Sequence, residues 1–553
     1  MSAAKRLAAL GCVSLLATTS ACASSGSSGS GVNGAPKTSV TMGTTEVYSS
    51  LDPAGAYDTG SWMLFYNIYQ RLMSYQPGAT IPTPDAASSC GFTSAADTTY
   101  TCTLRPGLTF SNGDPLNAAA VKDSFDRVTA IGNLKRDNGS GVMVLLDTLG
   151  SVTTSGDLGV TFHLKTSDAT FPDRLASGVG SIVDPKTFPS TSLYQGTTPV
   201  SSGVYQVDSV QKGMVDGKSS PLSVSMTLNP DYKGQAVSST SKVMNSSVTM
   251  KYYTDASGVM TALTDGDIDV NPSNDLTAAD DTSLQDQQVL GKGLQVNTGA
   301  GTQTRIIVLN VKNGPFSNQA VRRAVAQLID RGAIADQVYQ RTVVPLYSLI
   351  PQGIGDATTP YEDLYQSGPS AGTPAAVKQS LLQAGVKLPV SFDYSYAESS
   401  PGSDTEAAMI KQQLQADGIF QVNLKPVPNL NDMISAWNTG TVEASVSGWS
   451  SDYPDPDDYV SPFLGAPGTF GSFYDSSAID GLIPATLKQA DRSSAQAQST
   501  FAAIQTDFAR DAAYIPLWQD KQFVVNQADI TNVPLTLDTA GIIRFWMIGK
   551  TKV

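Results

Sequence analysis

The chain has 553 residues, of which 41% are hydrophobic, 15% charged and 8% aromatic, a composition typical of a globular protein with more than one lobe. Its formal net charge is −14, and no basic cluster is present to neutralise phosphates, which argues against nucleic-acid binding. The single histidine, His163, lies in a strand-like run, so a multi-histidine metal site or a Ser-His-Asp triad is not favoured. We expect neither a metal nor a cofactor.

The first segment has the layout of a lipoprotein signal peptide, predicted over residues 1–21. Lys5 and Arg6 precede an apolar run that is too short to span a membrane, and small residues then lead to Cys22. This end resembles a bacterial lipobox, although Thr19 stands where leucine is usual. Residues 22–36 form a Ser/Gly tether. We therefore expect lipidation at Cys22, which would hold the protein on the outer face of the bacterial cytoplasmic membrane or in the periplasm.

Two further cysteines, Cys90 and Cys102, flank a predicted turn around Ala96 at equal distances along the chain. They could face each other across a hairpin. Because an exported protein meets oxidising conditions, the spacing predicts a disulfide between them.

Periodicity in the first half of the chain predicts alternating strands and helices. Residues 39–42 and 99–104 alternate as strands do, and residues 67–72 show helical spacing. Asn117 is a good helix N-cap, because the apolar positions 121, 125 and 128 follow it as one buried stripe.

The last third reads as an α/β unit. A helix beginning after Thr373 is followed by a strand over 388–394, a helix through 407–414 and a strand over 420–427. Strands joined by a helix in this order are expected to pair in parallel. In parallel sheets, ligands collect beyond the carboxyl ends of the strands.

A short strand over 442–446 leads into the loop Gly448–Leu464, which contains one Trp, two Tyr and four Asp. Trp449 offers a flat apolar face and Asp452 a fixed negative charge, so together they could hold the ammonium end of a ligand. The alternative is an acidic surface loop with one aromatic ring packed beneath it.

The run from Leu104 to Phe125, with its Arg-Pro-Gly and Asn-Gly-Asp-Pro motifs, resembles the signature of the family 5 extracellular solute-binding proteins. These are receptors of peptide, nickel and related ABC importers. Ala120 departs from the family pattern by replacing an acidic residue, and Val204 by replacing a proline. The resemblance continues in order through Ser50–Pro53, Asn67–Tyr69, Gly203–Tyr205, Leu228–Tyr232, Leu263–Asp269, Leu309–Asn310, Pro315–Phe316, Val321–Ala324, Ile329–Arg331, Gly448–Pro456 and Ala513–Leu517.

The resemblance implies an α/β, two-lobed periplasmic-binding-protein-like (Venus-flytrap) fold with an extra third domain on lobe one. It places the extra domain at 62–198 and lobe two at 304–520. Lobe one is then discontinuous, over 37–61, 199–303 and 521–553.

The resemblance also implies a function in binding rather than catalysis. Members close two lobes over a small ligand, here a short peptide, and present it to a membrane permease that works with ATPase subunits. We expect a monomer.

In the peptide-binding members, an Asp corresponding to Asp452 pairs with the peptide amino terminus, beside Trp449 and Ser450. We add Tyr453 to this wall of the cleft. The facing wall is expected from Tyr57, Asp58 and Thr59. Trp437 either lines the cleft or belongs to the core, and Arg341 or Lys411 could meet the far carboxylate.

Three alternatives remain open from the sequence. The same class of receptor could bind an oligosaccharide or a nickel or other metal chelate. A glycoside hydrolase could use two carboxylates from Asp452, Asp455 and Asp457. A surface signal receptor or adhesin could share the receptor fold.

Overall fold

The computed structural model describes residues 36–551 except 95, 135–140, 290–292, 356–357, 367–371, 465–472 and 475. The predicted signal peptide, Cys22 and almost all of the predicted tether therefore lie outside the described residues. Within the described ranges, no helix has the length and apolar character needed to cross a membrane.

The strands and helices alternate along most of the chain, as an α/β fold requires. The strands are β1 (Ser39–Thr44), β2 (Met73–Ser74), β3 (Thr83–Pro84), β4 (Ala87–Phe92), β5 (Thr99–Leu104), β6 (Leu149–Ser155), β7 (Gly159–Leu164), β8 (Tyr205–Val215), β9 (Lys218–Leu228), β10 (Ser247–Tyr252), β11 (Val270–Asn271), β12 (Gln295–Leu309), β13 (Val343–Pro345), β14 (Val390–Ala397), β15 (Phe420–Val427), β16 (Ala444–Trp449), β17 (Tyr514–Asn526), β18 (Ile530–Thr531) and β19 (Gly549–Lys550). The α-helices are α1 (Thr59–Ile68), α2 (Ala118–Leu134), α3 (Phe171–Ala176), α4 (Ala256–Asp265), α5 (Ala278–Val289), α6 (Gln319–Leu328), α7 (Arg331–Gln337), α8 (Pro374–Gln383), α9 (Ser403–Leu414), α10 (Leu430–Asn438), α11 (Ser461–Leu464), α12 (Ser477–Asp480), α13 (Ile483–Thr486) and α14 (Ala495–Asp511).

One large sheet runs through both lobes. Its strand order is β15-β14-β16-β12-β17-β11-β1-β10-β9-β8, with β13 also paired to β17. Strands β12 and β17 cross from one lobe to the other while hydrogen-bonded to each other, and their register shifts between Ala300 and Thr304. The irregular pairing at 300–304 marks the point where the sheet passes between the lobes.

The predicted α/β unit of the last third is confirmed. Strands β14 and β15 pair in parallel from Val390↔Phe420 to Ala397↔Val427, and β14 also pairs in parallel with β16. The hydroxyl of Thr373 accepts from the N–H of Ala376 and so caps α8. The unit brings the end of β16, and the loop after it, to the edge of the lobe.

The helix predicted over residues 67–72 is wrong in its placement. Helix α1 begins at Thr59 and ends at Ile68, where Tyr69 turns to an extended conformation. The side-chain amide of Asn67 donates to the carbonyls of Met63 and Ile543, so these residues are tied to the C-terminal segment instead of continuing the helix.

The extra domain contains the sheet β4-β5-β7-β6 and helix α2. The predicted cap of α2 is confirmed, since Asn117 Oδ1 accepts from the N–H of Ala120 at 3.1 Å, and the stripe at 121, 125 and 128 is buried. Cys90 and Cys102 lie opposite each other on β4 and β5 and form the predicted disulfide.

The apolar cores follow the lobes. One cluster combines the extra domain with lobe one, from Val40 to Ile548, and a second lies in lobe two, from Ile306 to Trp518. A smaller third cluster, from Val259 to Val525, packs α4 and α5 against β12 and β17 in lobe one. The protein is thus an α/β protein of two lobes with an additional domain on the first, and the space between the lobes is available for a ligand.

Candidate ligand-binding cleft

A cavity of about 550 Å³ lies between the lobes where the large sheet crosses from one to the other. Helix α1, the end of β11, the crossing strands and the loop after β16 all contribute to it. Its lining residues are Glu46, Tyr57, Asp58, Thr59, Trp62, Met63, Tyr66, Pro272, Ser273, Asn274, Thr302, Gln303, Ser450, Ser451, Asp452, Asp520, Gln522, Phe523, Val524, Leu537, Ala540, Gly541 and Ile543. Of the predicted ligand residues, the structure brings together Tyr57, Asp58, Thr59, Ser450 and Asp452.

The wall from lobe one is built around the start of α1. Asp58 is the N-cap of this helix, because its carboxylate accepts from the N–H of Ser61 at 2.8 Å and from the Ser61 hydroxyl at 2.9 Å. A capping carboxylate holds its backbone in a fixed extended conformation. Tyr57, directly before the cap, is therefore held out over the cleft.

The wall from lobe two begins where β16 ends at Trp449. The next residues leave the sheet and place Ser450, Ser451 and Asp452 at the cavity. The backbone N–H of Asp452 donates to Asp458 Oδ2 at 2.7 Å, which folds the loop back on itself. This bond leaves the Asp452 carboxylate directed to the cleft.

Within the described residues, a hydrogen bond joins the start of α1 to the loop after β16. The Tyr57 hydroxyl donates to Asp452 Oδ2 at 2.6 Å, joining residues that are 395 positions apart in the chain. Since the bond takes up Oδ2, Oδ1 of Asp452 remains for a further donor.

Burial raises the pKa of Asp452 to about 6, because the charged carboxylate loses hydration at the cleft. The hydrogen bond from Tyr57 and the positive charge of Arg174 act in the opposite direction and lower this pKa. Asp452 is therefore mainly ionised at neutral pH and protonates under mildly acidic conditions. A carboxylate of this kind can pair with a cation inside the cleft.

The other three aspartates of the loop have structural contacts. Asp455 lies on the opposite face, at a second cavity of about 570 Å³ between the extra domain and lobe two, and accepts from Arg492 Nε at 2.8 Å. Asp457 accepts from the Ser461 hydroxyl at 2.6 Å. The carboxylate pair needed for a glycoside hydrolase is therefore absent from these residues, because Asp452 alone among them lines the cleft.

Two predicted cleft residues, Trp449 and Tyr453, lie elsewhere, which corrects their assignment, and Trp437 takes the core position that was one of its two alternatives. Trp437 is buried in the core of lobe two and donates to the Ser445 hydroxyl at 2.9 Å. Trp449 packs edge-on against Phe463 behind the loop, with ring centroids 5.4 Å apart. Tyr453 is buried beneath the loop.

The ring of Tyr453 packs against Arg174 of the extra domain, whose guanidinium carbon lies 5.9 Å from the ring centroid. Burial of large apolar side chains is favourable, and Trp437, Trp449 and Tyr453 all pack against other protein side chains and do not line the cleft.

The cations suggested for the far end of a ligand are also misplaced. Arg341 is exposed and pairs with Asp286 at 2.8 Å. Lys411 lies on α9, and neither side chain is among those lining the cleft.

Sequence reasoning missed Asp520, which lies on β17 where this strand crosses between the lobes. Its carboxylate accepts from the N–H of Gln303 at 2.9 Å and from Asn274 Nδ2 at 3.2 Å. Burial raises the pKa of Asp520 to about 7, although the backbone donors act to lower it. The signal was present in the sequence, since Asp520 follows the predicted late strand by three residues, but nothing indicated that the strand continues through the hinge.

Two lobes that share a sheet, with an acidic cleft between them, define a ligand-binding protein of the two-lobed class. Residues 82–471 match the bacterial extracellular solute-binding proteins, family 5 Middle. The chain belongs to this family of ABC-importer receptors.

Curated relatives match along almost the whole chain. The probable D,D-dipeptide-binding periplasmic protein DdpA of Escherichia coli K12 is 25% identical over 502 residues, which is 88% of this chain and 89% of that protein. The glutathione-binding protein GsiB of Salmonella typhi is 25% identical over 508 residues, covering 89% of this chain and 91% of that protein. The family and these relatives are binding proteins, so the chain is a solute-binding protein and not an enzyme.

Solved structures share the fold. The unliganded open form of the periplasmic murein tripeptide-binding protein MppA has a TM-score of 0.73 at 18% identity, over 94% of this chain and 98% of that one. The periplasmic binding protein DppA of Helicobacter pylori, in complex with the peptide STSA, has a TM-score of 0.70 at 21% identity, over 93% and 98% of the two chains.

Proposed function

We propose that this protein captures short peptides in the interlobe cleft and delivers them to the permease of an ABC importer. The observation that carries the proposal is the position of Asp452, a half-buried carboxylate on the wall of the cleft with one oxygen left for a donor. The peptide-binding names of several relatives support the choice of ligand.

In this proposal the peptide ammonium pairs with Asp452, and the walls from the two lobes meet the ligand together only when they are close. Ligand binding then stabilises the closed form, because the ligand gains contacts there that the open form cannot offer. Main-chain hydrogen bonds along the cleft would hold an extended peptide, with the hydroxyls of Thr59 and Ser450 beside it.

We further propose that the mature protein is a monomer anchored by lipid at Cys22 on the outer face of the membrane. The signal-like segment and the Ser/Gly tether support this proposal. Mass spectrometry of the membrane-extracted protein should give an amino-terminal Cys22 carrying acyl chains, and a chain that still begins at Met1 would contradict it.

The test of the ligand is calorimetry of the mature protein with di- to pentapeptides. Asp452→Asn should weaken the binding of peptides with a free amino terminus by about 10- to 100-fold, because a charged hydrogen bond contributes about 1.5–3 kcal/mol. The matched control is Asp336→Asn, which removes the same charge at an exposed position of α7.

Wild-type affinity in Asp452→Asn would show that the ammonium binds elsewhere. Heat with an oligosaccharide or a metal chelate, and none with any peptide, would replace the peptide by that ligand.

A further inference from the structure

The cleft is unusual in its balance of charge. Among the described residues that line it, four are acidic and none is lysine or arginine; the acids are Glu46, Asp58, Asp452 and Asp520. A peptide with a free carboxylate would find no cation there, whereas a positively charged ligand would find several carboxylates.

Three buried acids elsewhere in the chain have an arginine as ion-pair partner. Asp52 pairs with Arg127 at 2.6 Å, Glu406 with Arg305 at 3.2 Å, and Asp538 with Arg544 at 2.7 Å. Each of these partners compensates the loss of hydration that burial imposes on a carboxylate. The four acids of the cleft form no ion pair with any residue in the described ranges, so their negative charge remains available to a cationic ligand.

Asp520 is the second anchor that the geometry singles out. It is half-buried, and the donors that its two oxygens meet among the described residues are uncharged, including the N–H of Gln303 and the amide of Asn274. Desolvated carboxylates with neutral donors still favour a nearby cation.

Two residues after Asp520, the side chain of Gln522 has a hydrogen-bond acceptor without a donor in the part of the chain that the structure describes. Gln522 also lines the cleft, and its Oε1 is buried with no hydrogen-bond partner among the described residues. Its amide nitrogen is already engaged with the carbonyl of Asp538 at 2.7 Å. A buried acceptor without a donor costs stability, so this oxygen favours a ligand that carries N–H groups.

The distance between the two anchors follows from the sheet. Thr304 of β12 pairs with Trp449 on one side and with Gln519 on the other, which places those two backbones about 10 Å apart at ordinary strand spacing. Asp520 follows Gln519 directly, and Asp452 follows Trp449 by three residues. One short ligand can therefore reach both carboxylates.

We infer that the cleft selects peptides with two positive charges, an amino terminus at Asp452 and a lysine or arginine side chain at Asp520. The aromatic side chains of Tyr57 and Trp62 on the lining are compatible with such a ligand, since cations are attracted to aromatic faces. This inference rests on the proposed function of the same cleft.

The experiment compares Ala-Lys-Ala with Ala-norleucine-Ala, which keeps the four side-chain carbons of lysine and lacks its ammonium group, and with Ala-Glu-Ala. Wild-type protein should bind the lysine peptide at least tenfold more tightly than the norleucine peptide, and the glutamate peptide most weakly. Asp520→Asn should reduce the lysine preference to less than threefold, while Asp336→Asn should keep it.

The readout is the ratio of affinities, so a general weakening caused by altered packing at the hinge does not count as support. Equal wild-type affinities for the lysine and norleucine peptides would overturn the inference and leave the proposed function intact. A lysine preference that survives in Asp520→Asn would overturn the assignment to this residue. Absence of binding with all three peptides would instead contradict the proposed function.

Discussion

The loop after β16 has an aspartate on each of its two faces, and the two aspartates have different contacts. On one face, Asp452 lines the interlobe cleft, where its carboxylate accepts from the Tyr57 hydroxyl. On the other face, Asp455 is fixed by Arg492 beside the second cavity, against the extra domain. The comparison shows that the carboxylate of Asp455 is paired within the chain, whereas that of Asp452 faces the cleft without an ion-pair partner among the described residues.

Of the changes that test this difference between the two faces, we expect substitution of Arg492 to have the largest effect. Arg492→Ala leaves Asp455 buried and unpaired, so we expect the free energy of unfolding to fall by about 3–5 kcal/mol in urea denaturation. The control is Arg510→Ala, whose exposed pair with Asp507 should contribute less than about 1 kcal/mol. An equal loss of unfolding free energy in the two variants would show that the Arg492–Asp455 pair contributes no more to stability than an exposed ion pair.

The disulfide beside the second cavity offers the next largest effect. Replacing Cys90 and Cys102 together by serine removes a cross-link 12 residues apart, and should lower the free energy of unfolding by about 2–3 kcal/mol. Peptide affinity should not change, because the disulfide lies outside the cleft. Wild-type protein unfolded with a reducing agent should match the variant; a variant that also loses peptide binding would show that the two faces are coupled.

Lowering the pH tests the role of Asp452 on the cleft face without any mutation. Because the pKa of Asp452 is raised to about 6, the carboxylate form declines below this pH, and affinity for peptides should fall by about tenfold for each further pH unit. Calorimetry between pH 8 and pH 5 measures the profile. With a peptide that contains no lysine or arginine, which leaves Asp520 (pKa about 7) without a charged partner, Asp452→Asn should bind weakly and lose this pH dependence. A flat profile in wild-type protein would remove Asp452 from the site.

Tyr57→Phe gives the smallest expected change. The Tyr57 hydrogen bond lowers the pKa of Asp452, so its loss should raise that pKa and weaken binding a few-fold at pH 6. At pH 8 both proteins carry an ionised Asp452 and should bind alike, which serves as the control. A difference of more than tenfold at pH 8 would show that the Tyr57 hydroxyl contacts the ligand itself.

Local signals in the sequence predicted much of the fold. The N-caps at Asn117 and Thr373, the parallel unit of β14 and β15 and the disulfide each follow from spacing and residue type within a short window, and the structure confirms them. The domain boundaries, which depend on how distant segments return to the same lobe, stay a prediction.

The site was predicted in part. Asp452 and Ser450 could be placed because they follow a recognisable strand and match the family's loop, whereas Asp58 came only from the resemblance; the helix that it caps was not predicted at this position. Trp437, Trp449 and Tyr453 could not be placed, since an aromatic side chain has the same appearance in a sequence whether it packs inward or toward a ligand.

Asp520 was missed because its role depends on the pairing of β12 with β17, between residues more than 200 positions apart. No pattern within a single segment contains that information.

The shared strands also bear on how the molecule comes apart. Strands β12 and β17 each extend from one lobe into the other, so both lobes depend on the same two strands. Removing either lobe would expose unpaired backbone N–H and C=O groups at the edge of the remaining sheet. Thermal unfolding of the two lobes should therefore be one cooperative transition. Refolding requires strands from the start and the end of the chain to pair in the same sheet, and such long-range pairing is slow.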